Sequence, residues 1–586
     1  MADSVLTGAA AAPHAERWLL IGVVSLAAVL RLPGLDSRPP PLNQDEASRA
    51  YDAWCLSETG RDRWGQPWPL FLRSFGPGDY TAALSTYLIV PIVGLLGPGT
   101  VAARLPNALL GVATVAGAWL VARRLFGARI ALVAALLLSL NPWHISMTRT
   151  AHESALGPFL LTFGFLGLMW ARLPPFHAIR NDLDEPNTRS STRPVASAIL
   201  AGIMFALGAW VDPAPRLLIP VLLAAAVLLF PRAWQRCLRD REHRLAIAAF
   251  IAALAAASAP IWWTWRHHPE RLAARARSVV VFYEPTSLTD QLAAFATNYA
   301  KEFHPFTLFV GSDDIAMWGA MGQTTPYGRL LHIEAPLILA GLIVLLRRAR
   351  RHSTERWLLI WLLLHPLPAA VCNDWNPNPL RAQQAIPLWS IISAIGALSL
   401  WRILTQHWSR AMRPMAVAAA LALAADAGWF AYAYTVRHPI ETADHFQENL
   451  VRAMQYAGDH LDEYDFVWVS DIHNQPYIYT LLFAPVSPEV LSDLPVVVTP
   501  WYQRFEHVVR VGKFLYAPLV QPQTPIGREA LATFRRELFS IPPGSRGLII
   551  DVPGRGPPGE LVKMFPLRNG EPGLELRAGT LQHPGS

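Results

Sequence analysis

Apolar windows of about 17 to 20 residues, almost free of charge, recur from Trp18 to Tyr434 and then stop. Each is about long enough to cross the ~30 Å hydrocarbon core of a bilayer as a helix. The pattern predicts eleven spans, over residues 18–32, 105–122, 130–147, 154–170, 195–211, 215–230, 245–265, 330–346, 357–371, 383–401 and 415–435. Residues 436–586 have no such window. There an amphipathic stretch from Ile440 to Leu461 is followed by the strand-like DFVWVSD from Asp465 to Asp471 and by the β-rich runs FEHVVRVGKFLYA and RGLIIDVP. The expected fold class is therefore an α-helical polytopic membrane protein with about 11 transmembrane helices and a C-terminal extracytoplasmic α/β domain. Its parts are a cytoplasmic N-terminus (1–17), a membrane unit (18–435) with outer loops 33–104 and 266–329, and the tail domain (436–586).

Composition agrees with this and narrows the function classes. Of 586 residues, 52% are hydrophobic and only 16% charged, with a mean hydropathy of +0.25. A secreted enzyme or a DNA-binding protein is excluded by that balance. The net charge of +7 comes almost wholly from arginine, since Lys301, Lys513 and Lys563 are the only lysines. These arginines fall in five loop clusters, among them Arg123, Arg124 and Arg129, then Arg232 to Arg244, then Arg347 to Arg356. All five lie on the cytoplasmic side if the N-terminus is cytoplasmic and the apolar segment 80–97 does not cross. That segment is expected to lie along or dip into the outer interface. Cys55, Cys237 and Cys372 form no metal or redox motif, although Cys55 and Cys372 both fall on the outer side.

The strongest local signal is NQDEASRAYDAWCLSETG, Asn43 to Gly60, just past the first span. Asp45 and Glu46 are adjacent acids at the start of a helix-like stretch, with Arg49 and Asp52 following at helical spacing. A carboxylate there suits deprotonation of an acceptor hydroxyl or amine; equally, acids at a helix start satisfy its amides and dipole. A second acid stands in SMTRTAHESALG, where Arg149, His152 and Glu153 mark the outer end of the third span and the start of the fourth. Ionisable groups next to an apolar run are functional candidates, with helix capping as the alternative. Arg216 and Arg381 are single cations at outer span ends, suited either to phosphate recognition or to snorkelling. Asp426, inside the eleventh span, reads as a packing contact between helices. No Walker phosphate loop, dinucleotide-binding glycine motif, nucleophile elbow or HExxH helix is present.

The order of a first span, RLPGLDSRPPPLNQDEA, GRDRWGQPWPLF, an interfacial apolar segment and ARLPNALLGVATVAGAWLVARRLFG resembles the bacterial GT-C glycosyltransferases that use polyprenyl-phosphate sugars. It is similar to protein O-mannosyltransferases and lipid A aminoarabinose transferases, with downstream echoes in TTPYGRLLHIEAPLILAGL and NPLRAQQAIP. The resemblance runs through residues 18–435 and is clearest in the first 160. It implies a GT-C-like membrane unit that moves a sugar from a polyprenyl-phosphate-linked donor to a protein, lipid or polysaccharide acceptor outside a bacterial inner membrane. Under it, Asp45 is the base or acceptor-positioning acid, Glu46 supports it, and Glu153 beside His152 is a second acid. Arg49 would contact substrate, and Arg149, Arg216 and Arg381 would hold the lipid phosphate. Direct displacement would invert the anomeric centre. No organic cofactor is implied, a divalent metal between acid and phosphate is left open, and no nucleic acid is involved. One departure is GPGDYTAAL where many relatives carry a Lys-Pro-Pro-like stretch, so Asp79 stands in place of a cation. A transporter or flippase of lipid-linked sugars is the alternative class, but its usual inverted repeats and mid-membrane charges are not visible in the sequence.

Overall fold

The computed structural model describes residues 13–176, 192–311, 327–407, 409–470, 473–500, 505–518 and 524–582. The chain forms two compact units. One comprises Met1–Pro33, Asn107–Arg266 and Ser278–Ala433; the other comprises Gly34–Pro106, His267–Arg277 and Tyr434–Ser586. The segment Gly34–Pro106 thus groups with the tail, rather than with the helices that flank it in sequence.

The first unit is helical. Among the described residues five helices are long and apolar enough to cross a bilayer, or up to eight if each of three bent pairs is one span. The remaining three expected spans fall on the helices Pro13–Arg31, Glu334–Ala349 and Ser353–Leu364, of 19, 16 and 12 residues. Proline explains the bends. Asn141 caps the helix Pro142–Thr148 by accepting the His144 amide at 2.8 Å, and Pro142 cannot continue the helix Ala128–Leu140, so the expected span 130–147 turns by 57°. Pro231 does the same after Pro213–Leu229, where the turn is 81°. Small residues let helices touch: a Cβ at Gly396 would overlap the Leu337 carbonyl oxygen and one at Gly341 that of Ile392. This close approach joins Glu334–Ala349 to Ile386–His407, as small residues do between membrane helices. Around it lies an Ala-, Leu- and Trp-rich core that includes Trp143, Trp357 and Trp389. Asp426 behaves as expected, accepting from Tyr327 Oη, from His332 Nδ1 at 2.8 Å and from the Ile333 amide at 2.9 Å.

In the second unit, the segment 80–97 contains the helix Leu84–Leu96, whose 13 residues span only about 20 Å, short of a crossing. Before it, β1 (Phe71–Gly76) and β2 (Asp79–Ala82) form an antiparallel hairpin. The tail carries a mixed seven-stranded sheet. Its strands are β3 (Phe466–Val469), β4 (Val496–Pro500), β5 (Glu506–Val511), β6 (Phe514–Tyr516), β7 (Arg546–Asp551), β8 (Glu560–Phe565) and β9 (Leu574–Thr580). The order is β4-β5-β6-β3-β7-β9-β8. Only the central β3 is parallel to its neighbours, β6 and β7; the other pairings are antiparallel. Phe466, Val509, Leu515, Phe534 and Ile541 form a core on this sheet. The stretch Ile440–Leu461 is not one helix as its periodicity predicts. It divides into His438–Glu441 and Glu448–Asp459, because Gln447 adopts φ 51°, the left-handed region that ends or precedes a helix. All three cysteines are buried free thiols, so Cys55 and Cys372 form no disulfide.

Candidate active site

The helix Gln44–Thr59 presents the acid pair and is bounded by strong local signals. Asn43 accepts the Glu46 amide at 2.9 Å, and its own amide donates back to Glu46 Oε2 at 3.2 Å, a closed capping box. At the other end Gly60, at φ 68°, supplies the left-handed C-cap. Glu46 has a second commitment. Arg104 grips it with two hydrogen bonds, Nε to Oε1 at 2.9 Å and Nη2 to Oε2 at 2.8 Å, with both side chains almost wholly buried. The remaining Arg104 protons go to the carbonyls of Leu35, Pro39 and Pro40 at 2.9 to 3.1 Å. Glu46 is therefore the buried peg that fixes the helix start to the preceding loop, and its carboxylate is occupied. Asp45, one residue earlier, is half-buried and has no hydrogen-bond or ion-pair partner among the described residues. Of the two acids, it is the one whose oxygens no described group hydrogen-bonds. Arg49 follows one turn later and is buried.

Further along this helix, Asp52 and Arg63 form a buried ion pair at 2.6 Å. Burial pushes the Asp52 carboxyl up to about 7, against the pull of Arg63. A cavity of about 760 Å³ lies beside this pair, lined by Asp62, Arg63, Trp64, Arg73 and Tyr477 together with aliphatic side chains. Asp45 is not among its walls.

The other expected site residues lie in the helical unit. Arg149 is buried and donates to the carbonyls of Leu30 (3.2 Å), Arg31 (3.0 Å) and Pro33 (2.9 Å). It caps the carboxyl end of Pro13–Arg31, where exposed carbonyls favour a cation. Arg216 does the same for Thr192–Val211, donating to Ala209 O at 2.9 Å and Trp210 O at 3.2 Å. Arg381 makes a two-pronged ion pair with Asp374, one bond at 2.8 Å. Each of these three guanidiniums is thus bonded to protein oxygens. His152 caps the 3-10 turn Glu153–Leu156, its ring meeting Ser154 Oγ at 2.9 Å, and stands 3.4 Å from the largely buried carboxylate of Glu153. Asn107 fixes this turn by donating to Thr150 O at 2.7 Å and His152 O at 2.9 Å.

Sequence reasoning missed Arg104 and Arg31. Arg31 is wholly buried, donates to Leu138 O and Ser139 O at 3.1 and 3.0 Å and meets His144 Nδ1 at 2.7 Å. Both arginines flank apolar runs, so locally they read as topology signals. Among the described residues no group of three His, Cys, Asp or Glu side chains is placed to hold a metal ion.

Residues 81–171 match the family model described as dolichyl-phosphate-mannose-protein mannosyltransferase. That stretch begins after Asp45 and Glu46 and includes His152 and Glu153. No curated protein matches the sequence. Among solved structures, ArnT from Cupriavidus metallidurans in the apo state aligns over 96% of this chain and 98% of its own, at 12% identity and a TM-score of 0.54. The same protein bound to undecaprenyl phosphate aligns over 95% and 97%, at 11% identity and a TM-score of 0.55. The chain has the GT-C glycosyltransferase fold. A GT-C fold agrees with the order of elements that the local motifs only suggest: a first apolar helix, a loop with adjacent acids, a short apolar helix and a long helical unit. It also makes the chain a multi-pass membrane protein.

Proposed function

We propose that this GT-C protein is a glycosyltransferase that moves a sugar from a polyprenyl-phosphate donor to a hydroxyl or amine acceptor on the outer side of a bacterial inner membrane. The observation that carries the reading is the division of labour at the start of Gln44–Thr59. Glu46 is saturated by Asn43 and Arg104, whereas Asp45 is half-buried and unpartnered among the described residues. A carboxylate held rigidly by its neighbour, with its own oxygens available, is what a positioned base requires.

In the proposed reaction the acceptor proton passes to Asp45 as the acceptor lone pair attacks the anomeric carbon. The bond from that carbon to the phosphate oxygen breaks, polyprenyl phosphate leaves, and the anomeric centre inverts. Glu46 acts on Asp45 only by fixing the helix start. Glu153, with His152 beside it, is the second acid of the proposal. Positioning of this kind converts a bimolecular encounter into an oriented displacement and supplies much of the rate.

The test is single-turnover transfer from a panel of polyprenyl-phosphate sugars by purified, reconstituted protein, comparing wild type with Asp45→Asn. Consumption of one donor by the wild type, lost in Asp45→Asn while donor binding persists, is the expected result. Donors that stay intact but move between leaflets would sink the reading in favour of a transporter.

A further inference from the structure

The unit that carries Asp45 also contains the tail, and the tail reaches the start of the Asp45 helix. Gln447 Nε2 donates to the side chain of Gln44 at 3.4 Å and to Asn474 O at 3.5 Å. Phe446, next in the same turn, lies under the Arg104 guanidinium at 6.0 Å, the same guanidinium that clasps Glu46. The helix Tyr477–Phe483 packs along Gln44–Thr59, and Tyr51 Oη donates to Val486 O at 2.8 Å just beyond it.

Several buried side-chain atoms of this unit have no hydrogen-bond partner among the described residues, and two of them belong to the elements just named. Gln447 is 6% exposed and held at φ 51°, a costly conformation for a residue other than glycine, yet its Oε1 has no partner. Tyr479 is fully buried, and its Oη has none either. An unpaired buried hydroxyl is destabilising, and phenylalanine would fill the same space without that cost. Burial, with the charges of Glu46 and Asp45 nearby, pushes the Tyr479 phenol well above its ordinary range, so it stays a proton donor. Tyr479 Oη and Gln447 Oε1 are thus an unsatisfied donor and acceptor on elements packed against the helix that begins at Gln44 and Asp45.

We propose that Tyr479 and Gln447 bind the acceptor, Tyr479 Oη donating to it and Gln447 Oε1 accepting from it, and so hold its nucleophilic hydroxyl or amine against Asp45. This rests on the glycosyltransferase reading. It makes the tail part of the acceptor subsite and gives that subsite a specificity for acceptors with a second polar group beside the nucleophile.

The experiment uses the full-length reconstituted protein with the donor that the wild type consumes. The acceptor probes are a Ser- and Thr-rich peptide and a short glycolipid, assayed separately, with loss of donor to water measured alongside. Tyr479→Phe should melt no lower than wild type, raise the acceptor KM or cut kcat/KM about tenfold, leave the donor KM unchanged and increase the share of donor lost to water. Gln447→Gly relieves the positive φ while removing the amide, and should show the same split; Gln447→Asn, tolerated in that backbone region, should recover part of it. Unchanged acceptor kinetics in Tyr479→Phe and Gln447→Gly, with an active wild type, would overturn the proposal and leave the glycosyltransferase reading standing. So would losses that simply track a lowered melting temperature. A wild type that consumes no donor would remove both.

Discussion

Two helix starts, one in each unit, carry the same local signal and use it differently. Gln44–Thr59 opens with Asn43 and two acids, and its capping box is closed. Glu153–Leu156 opens with His152 and one acid, and its cap is loose: the Ser154 amide reaches the His152 ring at 3.4 Å, and Glu153 stands a further 3.4 Å from it. In the first case the buried Arg104 absorbs one acid completely and leaves the adjacent one available. In the second, a neutral or protonated imidazole is the acid's visible neighbour. An acid at a helix start is therefore no guide to its use until the partner of its carboxylate is known, and that partner comes from elsewhere in the chain.

The largest expected effect sharpens the comparison within the first pair. Asp45→Asn should cut transfer by about 100- to 10,000-fold while changing stability by no more than the ~1 kcal/mol of a first-turn acid, since no described group hydrogen-bonds that carboxylate. Comparable losses from Glu46→Gln with an unchanged melting temperature would reverse the assignment. Arg104→Ala should do the opposite of Asp45→Asn, costing about 3 to 5 kcal/mol of stability because it strands a buried carboxylate; chemical denaturation of the purified protein measures it.

Acid should destabilise the unit that carries Asp45 next. Burial lowers His473 and His507, both in the unit that carries Asp45, to about 4, while an unfolded ring titrates near 6.5. The unfolded chain therefore takes up protons first as pH falls. Stability is complete above about 6.5 and is lost progressively toward 4, by about 2 kcal/mol per ring at pH 5. Denaturation between pH 7.5 and 5, with His507→Gln as control, should show a loss that the control reduces. The smallest effect tests the loose cap: His152→Ala should cost about 1 kcal/mol as a cap, and a fall in transfer well beyond what that explains would mark the His152–Glu153 pair as part of the chemistry.

Much of this was legible in the chain. A helix underlies each of the eleven apolar windows, and the tail strands lie close to where alternation put them, because both signals depend on near neighbours and on burial against an apolar phase. The bends at Pro142 and Pro231 were present in the sequence as prolines after cap-like or terminal residues, and hydropathy windows simply averaged across them. The break at Gln447 had no such marker, since glutamine has no preference for positive φ. The acids at 45, 46 and 153 stood out by spacing, but Arg149, Arg216 and Arg381 looked alike as phosphate ligands and as end caps. In the fold each is bonded to carbonyls or to a carboxylate, contacts that no local pattern announces.

The sequence by itself determined that this is a multi-pass membrane protein with an α/β tail and that the loop after its first span brings adjacent acids to a helix start, since hydrophobic periodicity and capping act over a few residues. Tertiary structure alone decided which acid is spent. Arg104 lies 58 positions after Glu46, and Gln447 lies 403 after Gln44. Contacts at that separation are fixed by how whole elements pack, and a buried charge takes its role from the one partner that packing brings within reach.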